Sequence, residues 1–168
     1  MTPVPALRVA VQFAARRPWV PTATALRRWA RGARAMATAP RRRPVPTGAD
    51  LCIRIVGGAA SRRLNRDYRG KDQPTNVLSF PAGAIESALG DSLGDLVICA
   101  PVVAAEARAQ GKAAAAHWAH MVVHGVLHLH GFDHENARDA RIMEGLEVAI
   151  LRGFGYQDPY RLVTPQHP

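Results

Sequence analysis

Cysteine is scarce in this 168-residue chain: Cys52 and Cys99 lie far apart in separate apolar runs and form no C-x-x-C. A disulfide would need a secreted context, and no signal peptide supports one. Two buried, reduced thiols in a cytosolic protein are the expectation. Long hydrophobic runs are also missing. The longest, Ala113 to Leu129, is interrupted by four histidines, so no membrane span is expected. Acidic residues are absent from the first 49 positions, which carry ten arginines. Residues 50–168 hold 12 Lys+Arg against 13 Asp+Glu, so the formal charge of +9 belongs to the N-terminal part and the body is nearly neutral. That Arg- and Ala-rich, acid-poor segment also reads as an organellar transit peptide. Its return to strand and helix patterns favours structured protein. The length suits one domain with a sizeable core.

What is present in abundance is histidine, between positions 117 and 134. His124 and His128 are four apart and share one face of a helix, where they can grip one metal ion. Gly131 suits a left-handed helix end that lets the chain double back and deliver His134 as a third ligand. Three imidazoles leave a fourth tetrahedral position open, as in catalytic rather than structural zinc sites. The spacing falls into register with the metzincin signature H-E-x-x-H-x-x-G-x-x-H, except that Gly125 stands where those proteases carry their glutamate base. The metal is kept and the peptidase chemistry is removed. His117, His120, His124 and His128 span an arc of roughly 80° on the helix. His120 reads as a hydrogen-bonded cleft residue and His130 as a surface residue. Asp133 or Glu135 could orient an imidazole.

The rest of the chain reads in alternation. Leu7–Phe13 and Asp50–Val56 look like strands, and a helix from Thr22 or Thr24 to Ala37 buries Leu26, Trp29 and Ala33. Arg27, Arg28, Arg31 and Arg34 are its solvated face. Ser61 starts a short helix on which Arg62, Arg66 and Arg69 line one side, followed by Lys71. Thr75–Pro81 and Gly94–Cys99 are the third and fourth strands. Helices follow at Pro101–Gln110, Lys112–His130 and Asn136–Arg152, the last with Ile142, Leu146 and Ile150 at four-residue steps. Strands followed by helices argue an α+β fold: one small, mainly four-stranded sheet packed against about five helices. Residues 1–6 are a disordered start, 7–160 a single domain, and 161–168 a tail.

Several blocks together resemble the YbeY endoribonuclease family of bacterial rRNA maturation factors. They are Tyr68-Arg69-Gly70-Lys71-Asp72, Pro74-Thr75-Asn76-Val77-Leu78-Ser79-Phe80-Pro81, Leu93-Gly94-Asp95, His124-Gly-x-x-His128-x-x-Gly131-x-Asp133-His134, and Gly155-Tyr156-x-Asp158-Pro159-Tyr160. They run in family order from about Leu51 to Tyr160, while residues 7–48 match more weakly. The resemblance implies a single-strand-specific endoribonuclease that matures the 3′ end of small-subunit (16S) rRNA and serves ribosome quality control. It implies zinc on His124, His128 and His134, and a cleft arginine at Arg69. Nickel, copper and iron also accept three imidazoles. In this reading Arg69 holds the scissile phosphate, Arg62, Arg66 and Lys71 track the backbone, and Asn76 and Ser79 join the substrate-binding set. His120 and Asp133 are candidates for proton transfer, with a hydroxide on the metal or the RNA 2′-OH as other routes. The near-neutral body points to recognition through the ribosome or its associated proteins rather than through tight nonspecific RNA affinity. The alternatives are a ribosome assembly factor whose metal site is structural, and a metal hydrolase of another substrate.

Overall fold

The computed structural model describes residues 6–38, 48–83 and 92–161. The start at 1–5, most of the Pro- and Arg-rich loop near 40–47, the loop before the last strand and the tail beyond 161 lie outside the described residues. Strands β1 (Arg8–Phe13), β2 (Asp50–Val56), β3 (Val77–Pro81) and β4 (Ser92–Cys99) form one sheet, with helices α1 (Ala23–Ala37), α2 (Gly58–Arg69), α3 (Ala100–Ala109), α4 (Ala114–Leu129) and α5 (Ala137–Gly153) around it. The sheet order is β1-β2-β4-β3. β1, β2 and β4 run parallel, and β3 is antiparallel to β4. The α+β expectation holds, in the form of a mixed sheet. α2 begins at Gly58 rather than at Ser61, whose hydroxyl instead donates to the Thr75 carbonyl (3.0 Å).

β4 is apolar almost throughout because both of its faces are covered near the C-terminal end. Leu96 and Ile98 point into the main core with Ile53, Ile55, Trp118 and Leu127. Val97 and Cys99 point the other way, into a smaller cluster with Val56, Leu78 and residues of α2. Cys99 is accordingly buried, whereas Cys52 is only partly so. Gly94 fits here because it adopts φ +142° and a Cβ would stand 2.3 Å from the Phe80 carbonyl oxygen. No side chain can occupy that approach of β4 to β3.

Helix α4 runs through the interior, against α1, α3, α5, β3 and β4. From His117 to His130 every residue is buried except His124 and His128. The two gaps in its burial are the two histidines chosen on spacing.

The arginines of α1 are only in part a solvated face: Arg28 and Arg31 are exposed, Arg27 is half-buried and Arg34 is buried. Thr22 caps α1 by accepting from the Ala25 N–H (3.2 Å), which sets the helix phase. Arg27 Nε then donates to the Val9 carbonyl (2.9 Å) and Arg31 Nε to the Leu7 carbonyl (3.1 Å). Because the Arg8 N–H points to β2, bonding Ala49 O, those two carbonyls lie on the free edge of β1. Arg28 stacks over Phe154, its guanidinium 5.2 Å from the ring centroid. Arg34 is buried, donating to Gly48 O (2.8 Å) and facing His130 Nε2 at 3.0 Å. His130 is not a surface residue either: it is 3% exposed, and its Nδ1–H bonds the Val126 carbonyl at 2.8 Å. That leaves Nε2 as acceptor for Arg34. Of the residues at four-residue steps on α5, Ile142 is 47% exposed and Ile150 is buried; Met143, Glu147, Ile150 and Leu151 form the buried face.

Replacing Arg34 by Met should leave a buried carbonyl and a buried imidazole without their charged donor. The expected loss is about 2–4 kcal/mol of stability, against about 0.5 kcal/mol or less for the exposed Arg66→Ala. Urea denaturation midpoints of the two variants provide the comparison.

Candidate metal centre

α4 supplies the first half of the centre. Its last turn ends at His130, and Gly131 takes φ +87°, with Phe132 N–H returning to the Leu127 carbonyl (3.1 Å). This is the left-handed exit expected of a helix-terminal glycine. It turns the chain so that His134 comes back over His128. The His128 and His134 ring centroids are 5.2 Å apart, and the His124 ring stacks on His134 at 5.6 Å. One nitrogen from each of the three lies within 4.8 Å of the others. His124 Nε2 and His128 Nε2 are 3.1 Å apart. Two nitrogens bound to one tetrahedral zinc at about 2.0–2.1 Å stand roughly 3.3 Å from one another. The donor set therefore fits such an ion without rearrangement of α4.

Burial, with the neighbouring His124 and His134, pushes the His128 pKa down, which favours the neutral imidazole a metal needs. His124 is oriented from behind. Its Nδ1 faces Glu147 Oε1 at 2.9 Å, so that nitrogen carries the proton and Nε2 is left for a metal. Glu147 is fully buried on α5. Its other oxygen accepts from His120 Nε2 and from the Tyr160 hydroxyl (2.5 Å). Burial alone would raise the Glu147 carboxyl; the hydrogen bonds and charge of His120 and His124 reverse this and hold it at about 2. Tyr160 is pushed up, by burial and then by Glu147, and stays a donor. The carboxylate that orients an imidazole is thus Glu147, neither Asp133 nor Glu135. A lone glutamate on the apolar Met143-Ile150-Leu151 face of α5 was the sequence signal for it.

The three histidines open into a groove of about 810 Å³, lined also by Tyr68, Arg69, Thr75 to Pro81, Asp133 and Glu135. Arg69, Asn76, Ser79 and Asp133 therefore share one cleft with the metal ligands. Three of them have local duties. Asn76 donates to Glu106 (3.1 Å) while its Oδ1 accepts from Val77 N–H, and Ser79 Oγ donates to Gly125 O (3.3 Å). Asp133 Oδ1 accepts from His134 N–H (2.7 Å), bracing the loop that carries the third ligand. Arg62, Arg66 and Lys71 are not in the lining. Arg62 is held bidentate by Asp72 (2.8 and 2.9 Å), and Arg66 lies against Asp67 (3.3 Å). His120 sits behind the ligands, with its Nε2 spent on Glu147. Gly125 faces the sheet: a Cβ there would stand 2.7 Å from Leu96 Cδ2. The position of the protease glutamate is here the contact between α4 and β4, where a side chain would have to displace Leu96.

A profile of the family described as Endoribonuclease YbeY matches residues 20–155. The chain belongs to the YbeY endoribonuclease family. It is accordingly an endoribonuclease, a hydrolase acting on RNA. Its relatives include the endoribonuclease YbeY of Alkalilimnicola ehrlichii, 55% identical over 94% of this chain and 93% of that one. The YbeY protein of Methylococcus capsulatus is 58% identical over 70% of this chain and 79% of its own length. That of Stenotrophomonas maltophilia K279a is 51% identical over 92% and 93%. A solution structure from Thermotoga maritima shares the fold, with a TM-score of 0.53 at 19% identity over 92% of this chain and 99% of that one. Among the described residues no helix is long and apolar enough to cross a membrane.

If Glu147 sets the His124 tautomer, Glu147→Gln keeps the shape and removes the charge. Metal affinity, read by competition with a chromophoric chelator, should weaken about 10–100-fold. The metal-free variant should remain folded by circular dichroism.

Proposed function

We propose that this YbeY-family chain is a zinc-dependent, single-strand-specific endoribonuclease that matures the 3′ end of small-subunit (16S) rRNA. It acts in ribosome quality control, in the cytoplasm, with the ribosome or ribosome-associated proteins as partners. The observation that carries this reading is the convergence of three imidazoles and Arg69 on one groove. An all-imidazole set with one open position suits zinc in a catalytic role. A bound ion would supply Lewis-acid polarisation of a phosphoryl oxygen and a water whose pKa falls to about 7.

The chain's own groups divide the remaining work. Arg69 carries a planar, permanently charged fork suited to two oxygens of the scissile phosphate and to the charge that grows on them. Asp133 lines the groove beside His134 and is the better placed of the two proton-transfer candidates, since His120 is outside the lining and hydrogen-bonded to Glu147. Asn76 and Ser79 shape the wall through which the strand passes. Arg62, Arg66 and Lys71 contribute long-range attraction along α2 and the turn after it rather than contacts in the cleft.

The test is cleavage of a short single-stranded RNA by protein of known metal content. His128→Ala is expected to lose both metal and cleavage. Arg69→Ala should keep its metal and lose about 100-fold or more in kcat/KM. Folded wild type that binds metal yet leaves purified RNA intact, with metal removal lowering only its Tm, would favour an assembly factor with a structural site.

A further inference from the structure

The last turn of α2 leaves a large ring in the open. Tyr68 is 69% exposed, the residue immediately before Arg69. Its ring stands edge-to-face against Phe80 of β3, with centroids 5.1 Å apart and planes at 69°. Phe80 is half-buried and packed against the cluster of Val56, Leu78, Val97 and Cys99. Tyr68 is therefore braced on one side by the body of the protein and open on the other. Both rings line the groove that holds His124, His128, His134 and Arg69. An aromatic ring this exposed gains little for folding, since most of its apolar area stays in water.

The groove's chemistry decides among occupants. A cationic fork and a metal site call for a phosphate, and the chain is an RNA hydrolase. The neighbour of the phosphate-holding arginine is then an aromatic face, so the two parts of a nucleotide, phosphate and base, meet adjacent side chains. We propose that Tyr68, braced by Phe80, is the stacking platform for one unpaired nucleobase beside the scissile phosphate. The inference rests on the RNA-cleaving reading above. It gives that reading a physical source of single-strand preference. A base inside a duplex already has both faces covered, whereas an unpaired base can splay out and stack on a side chain. Every base has a π-face, so the subsite tolerates sequence.

Three variants and a set of abasic oligonucleotides test it. Tyr68→Leu should raise KM for single-stranded RNA about tenfold, the scale expected of base–aromatic stacking, with the loss falling on KM more than on kcat. Tyr68→Phe and Tyr68→Trp keep a ring and should stay within about twofold of wild type. Removing the base at one position of the oligonucleotide should raise the wild-type KM to a similar extent. It should cost Tyr68→Leu little more, because platform and base are lost together. Additive penalties, an unchanged KM in Tyr68→Leu, or equal losses in all three variants would overturn the platform while leaving the nuclease intact. Absence of cleavage by metal-loaded wild type would instead remove the reading on which the platform depends.

Discussion

A carboxylate buried out of reach of water must collect enough donors to offset its lost hydration, and Glu147 collects three. His124, His120 and Tyr160 come from two segments, the central helix and the end of the domain, and all turn toward the same two oxygens. Those bonds fix how α4 and α5 sit relative to each other. They also fix the His124 ring, so the metal-facing nitrogen is set by a residue that never sees the groove. Packing does the rest. From His117 to the end of α4 the helix is buried except at His124 and His128, so core packing holds the backbone from which both ligands reach the groove.

The positive charge of the chain has a different meaning from the one its total suggests. In the described part of the N-terminal region, Arg27 and Arg31 close off the edge of β1, Arg28 lies over Phe154, and Arg34 joins α1 to His130. Arginine suits these tasks because its fork reaches carbonyls while its stem covers apolar surface. Among the described residues Arg69 is the one arginine of the groove lining.

The three histidines and Gly131 were legible because their geometry is local: helical spacing puts two on one face, and one glycine turns the chain to the third. Strand and helix positions followed from period, with starts shifted by a few residues where a cap such as Gly57 gave no strong signal. Partners distant along the chain were not legible. Arg34 and His130 meet across 96 positions, and Glu147 and His124 across 23. A charge run or a lone buried glutamate reveals nothing of such a partner until the helices are packed. Gly125 stood between the two cases. Its departure from the protease pattern was visible, while its cause, the closeness of Leu96, depends on where β4 lies.

The two outer strands of the sheet are treated in opposite ways. On β1 the outward carbonyls of Leu7 and Val9 are occupied by arginine side chains, which denies that edge to a further strand. On the other side β3 forms a wall of the groove. Any extended segment that added itself to this sheet would therefore have to do so over the metal centre. Strand addition there and occupation of the groove would compete for the same ground.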